Sequence, residues 1–131
     1  MKLDFTDQVV VITGAGQGIG LACTEALAEA GAKVVIVDRD AKGANDAKAA
    51  LKAKGFDADI ALMDVTDSKG VSKIADELVG KYGKVDILVN NAGIARSETP
   101  AEAVTDEHWL NVVDVNLNGT FWCCRASAAT C

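Results

Sequence analysis

Residues 9–20 read Val-Val-Val-Ile-Thr-Gly-Ala-Gly-Gln-Gly-Ile-Gly, an apolar run that passes directly into a cluster of glycines. The apolar run predicts a buried strand, and the apolar spacing that begins at Leu21 predicts a helix after the turn. Glycines allow a tight turn and let a ligand approach the backbone without meeting a Cβ atom. The first N–H groups of a helix lack partners and carry partial positive charge, so this stretch predicts a diphosphate-binding turn.

The spacing of the glycines distinguishes between three kinds of phosphate-binding turn. A P-loop would require Gly-Lys-Ser/Thr at a fixed distance from the first glycine, and the sequence has none there. The pattern G-x-G-x-x-G fits Gly14 and Gly16 but would place its third glycine at Ile19. The pattern Thr-Gly-x-x-x-Gly-x-Gly fits residues 13–20 and, between a strand and a helix, resembles the short-chain dehydrogenase/reductase family. Taken alone, the motif leaves a tight turn without a ligand as the alternative.

Composition limits the other classes of function. The 131 residues have the length of one domain, and 50% are hydrophobic and 24% charged, as in ordinary globular proteins. A formal charge of −6 argues against a nucleic-acid partner. No apolar run approaches the ~20 residues of a membrane span, and the N-terminus does not resemble a signal peptide, so we expect a cytoplasmic protein without membrane contact. The four cysteines lack metal-ligand spacing and predict buried thiols in a reducing compartment, with no metal site.

The remaining sequence alternates predicted strands and helices. We predict strands at 8–12, 33–37, 58–63 and 85–89, and helices at 18–30, 41–54 and 68–82. A last helix is predicted from Asp106, with Thr105 as N-cap, and could continue to the C-terminus. This alternation predicts an α/β fold with a doubly wound parallel sheet of Rossmann type. Four strands would show the order 3-2-1-4, with later strands of that fold missing from this chain.

Small or polar residues stand at the end of each predicted strand, where ligands bind in an open α/β sheet. Asp38 lies eighteen residues after Gly20, close to the ~20 at which an acidic residue accepts hydrogen bonds from the adenosine ribose. A carboxylate there would repel a 2′-phosphate, so we predict NAD as the cofactor rather than NADP. Arg39 could instead reach such a phosphate. A loop start at Asp38 and a helix start at Asp64 are the alternative interpretations of these two acidic residues.

The family resemblance also rests on Asn90-Asn91-Ala92-Gly93 after the fourth strand and on residues 115–119 of the last helix. It implies cofactor contacts from Gly14, Gln17, Gly18, Ile19, Gly20, Asp38, Asp64, Val65, Asn90, Ala92 and Gly93. The resemblance implies that Asp64 and Val65 hold the adenine edge, and that the residues after the fourth strand border the ribose and the nicotinamide. Asn116 would be the family's catalytic asparagine, whose backbone carbonyl holds a water in a locally bent helix. A surface helix residue is the alternative for Asn116.

The resemblance implies reversible hydride transfer between a small alcohol or carbonyl substrate and the nicotinamide. The family pattern continues with a catalytic serine and a Tyr-x-x-x-Lys pair, and this chain contains neither. The single tyrosine, Tyr82, has Asp86 at the lysine offset, so we predict that it packs at its helix end. The single histidine, His108, is predicted to be exposed. We therefore expect the N-terminal cofactor-binding part of such an enzyme; a dinucleotide-binding or interaction module without catalysis is the alternative.

The last predicted helix has more apolar surface than four strands can cover. Its apolar residues are Trp109, Val112, Val113, Leu117, Phe121 and Trp122. In the resembling family this helix helps to form the subunit interface, and the fourth strand would be a sheet edge in this chain. We therefore expect a homo-oligomer.

Overall fold

Four parallel strands form one sheet in the order β3-β2-β1-β4 in the computed structural model, which describes residues 2–95 and 98–130. The strands are β1 (Val9–Thr13), β2 (Lys33–Asp38), β3 (Ala58–Leu62) and β4 (Ile87–Val89). This order confirms the predicted Rossmann-type α/β fold. Thr13 pairs with Val37, so the carboxyl ends of β1 and β2 lie side by side.

Helices connect the strands and follow the last one. They are α1 (Gly18–Glu29), α2 (Ala41–Ala53), α3 (Ser68–Tyr82), α4 (Asp106–Val113) and α5 (Gly119–Ala128), with a short 3₁₀ helix at Ala101–Ala103. Helical backbone continues through Asp114–Asn118, which joins α4 to α5 and winds as a π-helix. The predicted last helix therefore exists, with one wider turn in its middle.

The core has two layers because successive strand residues point to opposite faces of the sheet. Val10 and Ile12 of β1 pack on the side of α1 and α2, whereas Val11 packs on the side of α3. The central residues 34–37 of β2 are at most 1% exposed, as expected for a parallel strand covered on both faces. Val115 and Cys123 form a third cluster with α3.

The observed bounds of all four strands differ from the predicted ones by one or two residues, and the differences in β1 and β4 are informative. β1 extends to Thr13, so the first residue of the glycine motif still belongs to the sheet. β4 begins at Ile87 instead of Val85. The reason lies in Asp86, whose carboxylate Oδ2 accepts a hydrogen bond from the Val9 N–H at 2.7 Å. The Asp86 side chain thus accepts the hydrogen bond that a strand carbonyl would otherwise accept. The regular pairing of β1 with β4 therefore begins at Val10 and Ile87.

The surroundings of Tyr82 agree with the predicted packing at its helix end. Its hydroxyl donates a hydrogen bond to Asp59 of β3. The Nζ atoms of Lys33 and Lys81 lie 5.7 and 5.4 Å from its ring centroid, and both lysines also pair with Asp59. This cluster fastens the end of α3 to β3, at the end of the sheet opposite the glycine turn.

Two predictions about side-chain exposure were wrong. Cys123 is buried and Cys23 half-buried, but Cys124 is exposed, because each residue of α5 is rotated by about 100° from the one before it. Cys131 lies outside the described residues. His108 is half-buried, and its Nε2 is enclosed without a hydrogen-bond partner in residues 2–95 and 98–130.

Candidate cofactor site

An open cleft of about 400 Å³ lies at the carboxyl ends of the strands. This volume is within the range of small-molecule binding sites. Its lining consists of Gly14, Gln17, Gly18, Ile19, Val37, Asp38, Arg39, Met63, Asp64, Val65, Asn91, Ala92, Gly93, Ile94 and Val115. Most of the predicted site residues are in this set; Gly20, Asn90 and Asn116 are the ones that do not line the cleft.

The glycine turn brings the backbone of β1 against the segment that follows β4. Gly14 has φ +63°, and a Cβ atom there would lie 2.9 Å from Ala92 Cα. Gly18 has φ +58°, a conformation that also favours glycine. Gly20 lies beneath the turn, where a Cβ atom would come within 2.5 Å of Asn91 Nδ2 and of the Gly14 carbonyl oxygen. The motif glycines therefore serve close backbone packing as well as the turn itself.

The N-terminus of α1 carries no side-chain cap. Gln17, its N-cap residue, makes no side-chain hydrogen bond to the helix. The N-termini of α2, α3 and α4 are each capped by a side chain, from Asp40, Asp67 and Thr105 respectively. The first-turn N–H groups of α1 thus face the cleft with no capping oxygen from Gln17, and the helix dipole adds partial positive charge there.

Asp38 ends β2 and also fastens the glycine turn. Its Oδ2 accepts a hydrogen bond from the Gly16 N–H at 3.0 Å, and its Oδ1 accepts one from the Asp40 N–H at 3.0 Å. The alternative of a simple loop start is therefore incomplete, because the carboxylate reaches across to a residue 22 positions earlier. A carboxylate has about four acceptor positions, so capacity remains on both oxygens.

Asp64 is held as an anion at the end of β3. Its Oδ1 accepts hydrogen bonds from the Thr66 N–H at 2.9 Å and the Thr66 hydroxyl at 2.8 Å. These bonds, together with the charge of Arg39, lower the pKa of Asp64 below its ordinary value, against the opposing effect of partial burial. The cap of α3 is Asp67, not Asp64, so the helix-start alternative for Asp64 was wrong.

Val65 supports this side of the cleft from below. It is 9% exposed and packs in the cluster with Val71, Val115 and Cys123. Gly119 lies directly against it, since a Cβ atom at Gly119 would come within 2.7 Å of Val65 Cγ2. The start of α5 thus fixes the position of the residue that follows Asp64.

Thr13 connects the glycine turn to the segment after β4. Its Oγ1 accepts hydrogen bonds from the N–H groups of Asn91 and Ala92, both at 3.0 Å. The Asn91 amide donates to the Gly14 carbonyl at 3.1 Å. Sequence reasoning gave Thr13 no separate role, although a threonine that ends a strand beside a ligand turn is a signal for such bonds. The Asn91 side chain thus ties the segment after β4 to the turn after β1, the adjacent strand.

Asn90 lies apart from the cleft. Its side chain is exposed, and its Nδ2 donates to Cys124 Sγ at 3.2 Å. Neighbouring residues on an extended backbone point in opposite directions, so Asn90 and Asn91 cannot both face the glycine turn. Asn91, which the list of predicted contacts omitted, is the asparagine that lines the cleft.

Asn116 holds the segment after β4 through its side chain. Its Oδ1 accepts from the Ile94 N–H at 2.8 Å, and its Nδ2 donates to the Ile94 carbonyl at 2.9 Å. It lies in the π-helical turn, where the Gly119 N–H bonds to the Asp114 carbonyl five residues earlier. The helix is therefore locally irregular at Asn116, and the Asn116 carbonyl accepts from the Thr120 hydroxyl at 3.0 Å. Asn116 is exposed on its helix, as the alternative of a surface helix residue expected, but its side chain is bonded to Ile94 on both of its polar atoms.

Two negative findings complete the description. In the part of the chain that the structure describes, no group of three His, Cys, Asp or Glu residues is arranged to hold a metal ion. None of the described helices has the length and apolar character needed to cross a membrane.

Comparison with known proteins agrees with this architecture. The profile of the family described as short chain dehydrogenase matches residues 8–130. Galactitol 2-dehydrogenase of Rhizobium johnstonii is 52% identical over 125 residues, covering 95% of this chain and 48% of that protein.

Two of the solved structures that resemble this chain contain a nicotinamide cofactor. NAD⁺-bound xylitol dehydrogenase has a TM-score of 0.91 and 32% identity, over 96% of this chain and 48% of its own. A metagenomic short-chain oxidoreductase in complex with NADP has a TM-score of 0.89 and 31% identity, over 96% of this chain and 57% of its own. The chain spans about half the length of the curated relatives it matches. Its sequence, its fold and its glycine turn agree, and the chain belongs to the short-chain dehydrogenase family.

Proposed function

We propose that residues 1–131 are the NAD-binding, N-terminal portion of a Rossmann-type domain in an oxidoreductase acting on CH–OH groups. The observation that carries this proposal is the Asp38 carboxylate, held by two backbone N–H groups in the same cleft that the uncapped N-terminus of α1 faces. The carboxylate suits the diol of a ribose, and the uncapped helix N-terminus suits a diphosphate.

The residues of the cleft fit a dinucleotide along its length. The diphosphate would lie against Gly14, Gln17, Gly18 and Ile19, where the backbone N–H groups of α1 are available. Asp64 and Val65 would hold the adenine edge, and Ala92 and Gly93 would border the nicotinamide ribose. Gly20 would act through packing beneath the turn, and Asn90 through its contact with α5. The bound cofactor would accept or donate the hydride, while these residues bind and orient it.

We propose NAD rather than NADP because of charge. A 2′-phosphate would add roughly two negative charges close to the Asp38 carboxylate. Arg39 lines the same cleft, but its charge already acts on Asp64. Similar proteins have been crystallised with NAD⁺ and with NADP, so the choice for this chain rests on Asp38.

The substrate is proposed to be a small alcohol or carbonyl compound, with a sugar alcohol as the first class to test. Galactitol 2-dehydrogenase and xylitol dehydrogenase, two of the similar proteins, are named for sugar alcohols. Asn116 is proposed as the catalytic asparagine on the resemblance alone. Its two bonds to Ile94 would hold the segment beside the nicotinamide in place.

Calorimetric titration of NAD and NADP into a purified protein that carries this chain tests the proposal. We expect tighter binding of NAD, and Asp38→Ala should narrow the difference between the two nucleotides. Asp46→Ala on α2 is a matched control, since Asp46 is exposed, pairs only with Lys42 among the described ion pairs, and should leave both affinities unchanged. Preference of the unaltered protein for NADP would refute the assignment of NAD.

A further inference from the structure

We propose that Gly16 is a positioning residue that sets the preference for NAD by holding the Asp38 carboxylate in place. Gly16 is one of the variable positions in the pattern Thr-Gly-x-x-x-Gly-x-Gly, so the motif itself gives it no role. The inference rests on the proposed binding of NAD and assigns a specificity-determining residue to that site.

The first observation is the hydrogen bond between the two residues. The Gly16 N–H donates to Asp38 Oδ2 at 3.0 Å, and the Asp40 N–H donates to Oδ1 at 3.0 Å. Each carboxylate oxygen is therefore fixed by one backbone group, which stops the carboxylate from rotating freely. One backbone donor comes from the glycine turn and the other from the start of α2, so the carboxylate sits between these two segments.

The second observation is the space that Gly16 leaves open. A Cβ atom at this position would lie 2.7 Å from Asp38 Oδ2 and 3.2 Å from Asp38 Cγ. It would also lie 3.1 Å from the carbonyl carbon of Gly43 in the first turn of α2. Gly16 is outside the set of glycines with positive φ, so an alanine would suit its backbone conformation. A side chain would therefore press most closely on the carboxylate, and the backbone of α2 at Gly43 would have to yield by a few tenths of an ångström.

The held carboxylate keeps free acceptor positions that a ligand can use. Of its roughly four acceptor positions, two are taken by backbone N–H groups, one on each oxygen. One acceptor position per oxygen remains, which matches the two hydroxyl donors of an unmodified ribose diol. A ribose that carries a 2′-phosphate has lost one donor and gained negative charge, so a fixed carboxylate discriminates against it twice. Displacement of the carboxylate by a methyl group at position 16 would weaken both effects.

The test compares Gly16→Ala with the unaltered protein and with Gly80→Ala as the matched control. Gly80 lies in α3, and a Cβ atom there would meet no other atom within 4 Å. For Gly16→Ala we expect NAD binding to weaken roughly 10-fold, as for the loss of one charge-assisted hydrogen bond. NADP affinity should change less than about twofold, and the melting temperature should fall by no more than about 10 °C, as expected for the loss of one hydrogen bond to a charged group. Gly80→Ala should change neither affinity.

A double-mutant cycle shows whether Gly16 acts through Asp38. In the Asp38→Ala background, Gly16→Ala should have no further effect on NAD binding. Equal weakening of both nucleotides, or a loss that persists in the Asp38→Ala background, would overturn the inference. If Asp38→Ala narrows the preference and Gly16→Ala does not, the inference fails and the proposed cofactor stands. If Asp38→Ala itself changes nothing, the proposed basis of NAD selectivity fails.

A second measurement needs no nucleotide. In the cofactor-free protein, the Gly16 amide NMR resonance should shift strongly when Asp38 is changed to Asn, because the acceptor loses its charge. The Gly80 amide should not move. An unchanged Gly16 resonance would show that the hydrogen bond is absent, and would refute the positioning role even in a protein that binds neither nucleotide.

Discussion

The hydroxyl of Thr13 offers the sharpest test of how the cleft is held together. Thr13→Val keeps the shape of the side chain but removes the oxygen that accepts from the Asn91 and Ala92 N–H groups, both at 3.0 Å. Thr13 is 1% exposed, so water cannot readily replace that oxygen. The Asn91 N–H keeps a second acceptor, the Val89 carbonyl at 3.1 Å, so Ala92 carries the donor that loses its partner. A donor left unpaired in the interior costs about 1–3 kcal/mol, so the free energy of unfolding should fall by about 2 kcal/mol and the melting temperature by roughly 8 °C.

Thr24→Val is the matched control. Thr24 is 0% exposed, and its hydroxyl donates to the Gly20 carbonyl at 2.8 Å. That carbonyl is also the α-helical acceptor for the Thr24 N–H, so it keeps a partner when the hydroxyl is lost. The control should therefore lose no more than about 1 kcal/mol.

Urea denaturation followed by circular dichroism measures both variants, and a nucleotide titration should show weaker binding for Thr13→Val alone. Similar losses of stability in the two variants would refute the reasoning, because the unpaired Ala92 N–H would then contribute nothing beyond the removal of a hydroxyl.

Three further predictions concern regions outside the cleft. Burial by itself would raise the pKa of Asp59, but the hydrogen bond from Lys81 and the charges of neighbouring lysines lower it below 3.8. Ionised Asp59 therefore adds to the free energy of unfolding at pH values above its unfolded pKa, and this contribution should be lost as the pH falls from about 4 through the lowered pKa. Urea titrations at several pH values should find this loss in the unaltered protein and not in Asp59→Asn. Burial, and to a smaller extent the neighbouring Cys124, raises the pKa of Cys123 to about 11. At pH 8, iodoacetamide should therefore modify the exposed Cys124 before Cys123. Mass spectrometry that finds Cys123 alkylated in the folded protein would contradict this. Phe121 is 54% exposed on α5, where we expect copies of the chain to associate. Phe121→Glu should therefore lower the molar mass of the particle measured by light scattering. A stable monomer of the unaltered protein at high concentration would argue against association.

The sequence was sufficient for the fold because each strand is a separate apolar run that ends at a glycine or polar residue. The runs 33–37 and 58–63 contain no helical spacing, and a glycine stands just before or after each helix that joins them. Parallel pairing then follows from the βαβ units, and the strand order 3-2-1-4 is the usual order of a doubly wound sheet. The location of the candidate site was also predictable, because the carboxyl ends of parallel strands meet at one edge of the sheet.

Contacts between side chains and distant backbone groups were not predictable. The late start of β4 depends on Asp86 replacing a strand carbonyl at Val9, which no apolar pattern records. The choice between Asn90 and Asn91 depends on which way the backbone faces as it leaves β4. The bond between Gly16 and Asp38 requires the register of β1 with β2, which local patterns leave undetermined. The π-helical turn at Asp114–Asn118 contains no glycine or proline that would predict it, and the bend at Asn116 was expected from the family resemblance alone.

The paired bonds between Asn116 and Ile94 have a mechanical consequence. An amide that both donates to and accepts from one residue behaves as a short rigid link, so a movement of the last helix is carried directly to Ile94 in the wall of the cleft. The same helix carries the exposed side chains of Leu117 and Phe121, which are 65% and 54% exposed. Any contact that shifts this helix would therefore strain or relax the cleft, and by reciprocity a ligand that moves Ile94 would change the strength of that contact by the same factor.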